Sequence, residues 1–463
     1  MNPQPTHNKY EKIVGYIENE IDDNRLKPGD KLPSIRSLAE DFKCSNATVI
    51  KAYAQLEQRH LIYSVPKSGY YVIKRSQTHH QKVQPVIDLA SAVPETRVLP
   101  FSDFQHCLNE AATLYQDDLF SYTSAQGMLS LRKTLVKHLH RHQIFPHEND
   151  LFITSGAQQS LDLLTRLPFP NGKQNILVEQ PTYIGMLKIL ELNNAPAIGI
   201  SRTSQGIDFT ELERIFRTGN VKFFYTIPRF QNPTGGSYTI QDKKKIVDLA
   251  QKYNVYIVED DYLADLELDS KIDPMYAYDT DDRVVYIKSY SKVLNPGLRI
   301  AVTLLPDLLK NAFEEHKRYT DLNTSIISQG VLEVYLKSGM FDAHISLVKN
   351  HYRDKMNCLQ RIVREQSVDN ITCQVPPTGF FACFHLPQNV QAAQVVSNLK
   401  QKDIHVMDAS RLFLSNYRKT NMIRVSVSTA SESELKQAVP LIYSETEKLL
   451  QNPSIWTGEE SAL

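Results

Sequence analysis

Several signatures are missing from this 463-residue chain, and each absence removes a class of protein. Its five cysteines (Cys44, Cys107, Cys358, Cys373, Cys383) are odd in number, scattered and without a C-x-x-C pair. Neither a disulfide framework nor a zinc knuckle is indicated, so buried thiols are expected and no metal site is assigned. No apolar run approaches the roughly 20 residues that a membrane helix needs. The opening stretch, Met1 to Lys9, is polar and lacks the apolar core of a signal peptide, so a cytoplasmic protein is expected. There is no net charge either, because 52 basic and 52 acidic side chains cancel, which argues against a protein that coats nucleic acid non-specifically. Internal repeats and low-complexity tracts are also lacking. With 41% hydrophobic and 22% charged residues, the chain has the composition of a globular protein of more than one domain.

What is present begins with a local charge imbalance. Between Lys43 and Arg75 stand Lys43, Lys51, Arg59, Lys67, Lys74 and Arg75 against the single acid Glu57, the one candidate footprint for a phosphate backbone. Residues 8–24 carry Tyr10, Ile13, Val14, Ile17 and Ile21 at helical spacing, and Pro28-Gly29 breaks that helix. A second short helix places Ile35, Leu38, Ala39 and Phe42 inward. Ser45 can cap a third, whose Val49, Ala52, Tyr53 and Leu56 pack while Asn46, Thr48 and Lys51 face solvent or DNA. Leu61 to Tyr63 and Tyr70 to Ile73 read as two strands of a hairpin. Three helices and a hairpin make a winged helix over residues 8–75. A polar stretch at 76–85 reads as a linker. From 86 to 450, short apolar runs such as 175–178, 221–225, 255–258 and 284–287 alternate with amphipathic helices, which predicts an α/β domain with a mostly parallel sheet covered on both faces.

Four separated segments of this second domain suggest one site. Thr154-Ser155-Gly156-Ala157-Gln158 is a turn of small residues between a strand and a helix, where backbone N–H groups can approach a phosphate. Asn232-Pro233-Thr234-Gly235 follows a strand, and Glu259-Asp260-Asp261-Tyr262 ends another, where open α/β sheets place their ligands. Ser289-Tyr290-Ser291-Lys292 is followed by Arg299, and a lysine near other cations can lose its proton readily enough to become a nucleophile. Each alone also reads as a helix cap, a tight turn, solvated acids or a surface lysine. Their joint order is what distinguishes them.

In that order the segments resemble the fold-type I, class I aminotransferases over roughly residues 86–450. The resemblance implies that Lys292 carries pyridoxal 5′-phosphate (PLP) as a Schiff base, and that Asp260, or less readily Asp261, pairs with the ring nitrogen. It gives Tyr183 the stacking position on the ring, and Asn232 and Tyr262 the phenolic oxygen. Ala157, Gln158, Ser289, Ser291 and Arg299 would hold the phosphate, with Tyr122 reaching it from the partner subunit of a homodimer. Arg424, in Asn421-Met422-Ile423-Arg424-Val425-Ser426, matches the arginine that grips a substrate carboxylate.

Residues 10–73 resemble the winged helix of GntR-type regulators through Pro28-Gly29-Asp30-Lys31-Leu32-Pro33-Ser34-Ile35-Arg36 and the wing Lys67-Ser68-Gly69-Tyr70-Tyr71-Val72. The two domains in this order look like the MocR-like subfamily of transcription regulators. The match implies an operator in double-stranded DNA. Arg36 and Ser45 would touch phosphates, Asn46, Thr48 and Lys51 would lie on the recognition helix, and Lys67 and Gly69 would form the wing. Two departures stand out. Asn46 occupies a position where many members have arginine, and asparagine prefers adenine where arginine reads guanine. After Tyr183 the run Ile184-Gly185-Met186-Leu187-Lys188 lacks the arginine that several such regulators use for γ-aminobutyrate, which favours an α-amino acid or PLP itself as the effector. Three functions remain open: a PLP-dependent sensor, a working aminotransferase, and a repressor whose large domain only dimerises.

Overall fold

The computed structural model describes residues 9–23, 25–58, 61–65, 68–72, 86–99, 101–366 and 370–451. The chain divides into two compact units, residues 1–83 and 84–463. Lys67 and the whole of 76–85 lie outside the described residues.

In the first unit, helices α1 (Lys9–Asp22), α2 (Ile35–Asp41) and α3 (Asn46–Gln58) precede the antiparallel pair β1 (Ile62–Val65) and β2 (Gly69–Val72). The inward positions read from the helical spacing are the ones that pack: Ile13, Val14 and Ile17 of α1, Leu38 and Ala39 of α2, and Val49, Ala52, Tyr53 and Leu56 of α3 form one core with Ile62 and Val72. Each valine, leucine or isoleucine among them contributes on the order of 1.5–3 kcal/mol on full burial. Polar groups set the helix starts. Ser34 accepts from Ser37 N at α2, and Ser45 accepts from Thr48 N at 3.3 Å at α3. Tyr53 ties α3 back by donating to the Pro33 carbonyl at 2.7 Å.

The second unit is built on an eight-stranded sheet. Its strands are β4 (Leu151–Thr154), β5 (Asn175–Gln180), β6 (Ala197–Thr203), β7 (Gly206–Ile207), β8 (Val221–Thr226), β9 (Tyr256–Asp260), β10 (Val284–Ser289) and β11 (Ala301–Leu304), in the order β4-β11-β10-β9-β8-β5-β6-β7. The run from β10 through β9, β8 and β5 to β6 is parallel, while β11 is antiparallel to both its neighbours. Both faces are buried, as the unbroken apolar runs require. Phe223 and Tyr225 of β8 and Tyr256 and Val258 of β9 enter one core, whereas Phe224 and Ile257 enter the other, which the helices Phe209–Thr218 and Ile240–Lys252 cover. The short parallel pair β3 (Ile87–Asp88) and β14 (Ile404–His405) lies apart from this sheet. A smaller antiparallel sheet, β12 (Thr372–Gln374), β13 (Phe381–His385), β16 (Met422–Ser426) and β15 (Met407–Asp408), completes the unit. All five cysteines are free. No helix of the described residues is long and apolar enough to cross a membrane.

Candidate active site and nucleic-acid interface

Because β11 runs against both β4 and β10, the C-terminal ends of β4, β5, β8, β9 and β10 all reach one edge of the large sheet. That edge is where ligands of open α/β sheets bind. A cavity of about 500 Å³ opens there, lined among others by Ala157, Gln158, Tyr183, Asn232, Asp260, Tyr262, Ser289, Ser291, Lys292, Arg299 and Arg424. Every cofactor and substrate residue read from the sequence is thus brought to one cavity except Tyr122, which is 85% exposed and not part of its lining.

Two neighbouring carboxylates on β9 and just beyond it have different fates. Asp261 accepts from Arg229 Nε at 3.0 Å, from a second Arg229 nitrogen, and from the Tyr286 hydroxyl at 2.9 Å. Burial pushes its carboxyl up, but the guanidinium outweighs burial and holds it below the ordinary aspartate range. Asp260 accepts one bond, from the Tyr225 hydroxyl at 2.9 Å, and its other oxygen is buried without a partner. Burial raises this carboxyl to about 7, with the charge of Asp261 adding and the Tyr225 bond and Lys292 opposing. The structure therefore separates the two candidates: Asp261 is committed to a buried ion pair, and Asp260 has a free oxygen on the cavity.

Lys292 donates to the Ala92 carbonyl at 2.9 Å. Burial lowers its ammonium pKa, and the guanidinium groups of Arg424 and Arg299 lower it further against the pull of Asp260. Such a lysine gives up its proton more easily than one in water. Tyr183 sits at the start of the helix Ile184–Leu192, and its hydroxyl accepts from Gln158 Nε2 at 3.0 Å. Arg424, on β16, lies with its guanidinium 4.3 Å from the Phe381 ring centre and donates to Asn232 Oδ1 at 3.2 Å and to the Ala90 carbonyl. Its Nε is buried and unpaired. Tyr262 faces the cavity, but its hydroxyl donates to the Phe230 carbonyl at 2.8 Å rather than toward a ligand.

Another part of the cavity lining is suited to an anion. Ala157 and Gln158 are the first residues of the helix Ala157–Arg166, where backbone N–H groups lack intrahelical acceptors. Gly156 adopts φ +88°, and a Cβ there would come within 2.5 Å of the Arg299 guanidinium, so glycine lets the turn and the arginine approach each other. Arg299 donates to the Ser155 carbonyl at 3.3 Å, and the buried Ser291 hydroxyl has no partner. A planar molecule bearing a ring cation at one end and a phosphate at the other matches these unspent groups. The donor set thus fits PLP.

Sequence reasoning missed several contributors. Tyr225, which bonds Asp260, lies within a strand whose residues are all buried, so no periodicity singles it out. Ala90 to Val93 line the cavity from a segment far from the others in sequence, and nothing local marks them. Among the described residues, one group of possible metal ligands lies elsewhere: His138, His142 and Asp265, with ligand atoms within 4.8 Å of one another. The Lys288 ammonium already rests on Asp265, so a fixed cation occupies the carboxylate's side of that cluster.

In the first unit, Arg36, Ser45, Asn46 and Thr48 share one concave surface with Lys9 and Lys43 where α2 hands over to α3. The Ser45 hydroxyl is engaged in capping, 2.9 Å from that of Thr48. Lys51 is exposed and is not part of the lining of that surface; its ammonium lies over the Tyr10 ring of α1 at 4.4 Å. Gly69 opens β2 at φ +119°, on the wing.

The chain matches the family described as Aminotransferase class I and II over residues 84–442, and that of the bacterial regulatory proteins of the gntR family over residues 9–72. It is 42% identical over 440 residues to the HTH-type transcriptional regulator YcxD of Bacillus subtilis, spanning 94% of this chain and 99% of that one. It is 25% identical over 446 residues to the HTH-type transcriptional regulator NorG of Staphylococcus aureus, spanning 90% and 100%. Among solved structures, kynurenine aminotransferase of Pyrococcus horikoshii superposes with a TM-score of 0.74 at 26% identity, covering 80% of this chain and 92% of the other. A DNA-reading winged helix and an aminotransferase body on one polypeptide, each matched over nearly its full extent, make this chain a member of the MocR-like subfamily of GntR-type transcription regulators.

Proposed function

We propose that this regulator binds operator DNA through residues 8–75 and that PLP, linked to Lys292 in the domain spanning 86–450, sets its affinity for that DNA, alone or together with an amino acid. The observation that carries the reading is the buried, unpartnered oxygen of Asp260, whose carboxyl is raised to about 7 until a cation reaches it. A protonated ring nitrogen is such a cation. PLP, when bound, supplies an electron sink. The chain's own residues do the rest: Asp260 keeps the ring nitrogen protonated, Arg299, Ser289, Ser291 and the Ala157–Gln158 turn hold the phosphate, and Tyr183 covers the ring face. Asn232 and Tyr262 serve the phenolic oxygen, Tyr262 only after its hydroxyl leaves the Phe230 carbonyl. Arg424 offers a carboxylate two parallel donors once it gives up Asn232 or Ala90.

On the DNA side, Arg36, Ser45, Asn46 and Thr48, with Lys51, Lys67 and Gly69 of the expected interface, approach the duplex in this reading, and a homodimer presents two copies to two half-sites. Phe120 and Tyr122, 92% and 85% exposed, are suited to an interface between two copies, with Tyr122 reaching the partner's phosphate site. Such a protein works in the cytoplasm, where its operator is. Ligand can shift the operator-binding equilibrium only by its differential affinity for the two states.

Lys292's weakened hold on its proton and its complete set of neighbours also suit turnover, so aminotransfer is the second reading. One experiment separates the two. Visible absorbance of purified protein with PLP, operator affinity of the free, PLP-loaded and amino-acid-treated forms, and keto-acid release are measured side by side. Regulation predicts a lysine-dependent band and changed operator affinity. Equal affinity of all three forms would refute it, and sustained keto-acid release would put aminotransfer first.

A further inference from the structure

We infer that the ligand whose carboxylate Arg424 takes is a neutral α-amino acid with an apolar side chain, and that Ile184 and Met407 are the residues that select it. This rests on the reading of Lys292 as the cofactor lysine and Arg424 as the carboxylate clamp. The cavity is lined by four charged side chains, Asp260, Lys292, Arg299 and Arg424, and each already has a task at the ring nitrogen, the aldehyde carbon, the phosphate or the α-carboxylate. Among the described residues that line the cavity of one subunit, no further cation is left for a second carboxylate, and no acid for a side-chain amine. The rest of the wall includes Val93, Ile184, Ile227, Phe381 and Met407.

Two of these stand beside the clamp. Met407 on β15 is directly cross-strand from Arg424 on β16, so their side chains leave the same face of the small sheet, with Cβ atoms about 4.5–5.5 Å apart. Ile184 follows Tyr183 and, like Met407, packs on the apolar cluster of Cys383, Ala409, Leu412, Phe413 and Met422. A ligand held at Arg424 therefore extends along a continuous apolar surface. The next cation along the Ile184 helix, Lys188, is exposed, paired with Glu191 at 2.6 Å and outside the lining of the cavity. A carboxylate set against this wall loses its water without a partner, which costs affinity on the order of tenfold or more.

The test is a titration of the full-length, PLP-loaded protein with L-leucine, L-phenylalanine, L-glutamate and L-aspartate, read by the visible band and independently by the rise in melting temperature. Leucine or phenylalanine should half-saturate both signals at a concentration at least about tenfold below either dicarboxylate. Met407→Arg and Ile184→Arg, two variants so that misfolding of one leaves the other, should move the preference toward glutamate by at least about tenfold. If the band forms but the dicarboxylates bind as tightly as the apolar amino acids, or no amino acid perturbs either signal, the inference is overturned while the cofactor assignment stands. If the wild-type protein shows no lysine-dependent band, the cofactor assignment fails, and the inference falls with it.

Discussion

Replacing Asp260 by asparagine should make the cofactor-free protein more stable at pH 8, although it removes the carboxylate proposed to pair with the cofactor. The reasoning begins with the buried oxygen that has no partner and a carboxyl raised from 3.8 to about 7. That difference corresponds to roughly 4 kcal/mol of penalty on the ionised folded chain, at about 1.36 kcal/mol per pKa unit. The sign follows from linkage. Between pH 3.8 and about 7 the folded chain keeps a proton that the unfolded chain has released, so stability falls as pH rises through this window and levels off above it.

Asparagine carries no charge and can still accept the Tyr225 hydroxyl, but its buried amide N–H groups cost about 1–3 kcal/mol if unsatisfied. The net expectation is a gain of about 2 kcal/mol at pH 8, shrinking to near zero at pH 5.5, where the wild-type penalty has fallen to about half. Urea unfolding of both proteins at both pH values, followed by near-ultraviolet circular dichroism, measures the difference. Added PLP should then stabilise the wild type far more than it stabilises Asp260→Asn, since a carboxamide cannot pair with a ring cation. An Asp260→Asn protein less stable than wild type at pH 8, or a difference that does not change with pH, refutes the reasoning.

Other perturbations probe separate parts of the molecule. Lys292→Ala should abolish the visible band formed with PLP while leaving the far-ultraviolet circular dichroism unchanged, as checked by absorbance of desalted protein. Arg229→Met leaves Asp261 as an uncompensated buried charge and should cost about 3–5 kcal/mol in urea unfolding, a far larger loss than removal of an exposed pair such as Arg214–Glu211. Arg36→Ala should weaken operator and non-operator DNA alike and reduce the slope of log affinity against log salt by about 0.9, measured by fluorescence anisotropy. Asn46→Ala should instead relax preference at one base pair, by about 1–3 kcal/mol of discrimination.

By itself the sequence determined both folds and most of the residues that line the large cavity. Its helical stripe at Ile13, Val14 and Ile17 and its unbroken apolar runs at 221–225 and 284–287 are local patterns, and local patterns specify which faces must be buried. The order of the Asn232, Asp260 and Lys292 segments was legible because each ends or follows a strand of the same sheet, and parallel strands deliver their C-terminal ends to one edge. The resemblance already preferred Asp260 to Asp261, but only the tertiary structure shows how their surroundings differ: Arg229 and Tyr286 reach Asp261 across the core and leave one oxygen of Asp260 without a partner. Only the tertiary structure brought Tyr225 to Asp260, placed Ala92 against Lys292 and set Met407 opposite Arg424. Those contacts join residues far apart in the chain through strand register and packing, which no window of neighbouring residues encodes.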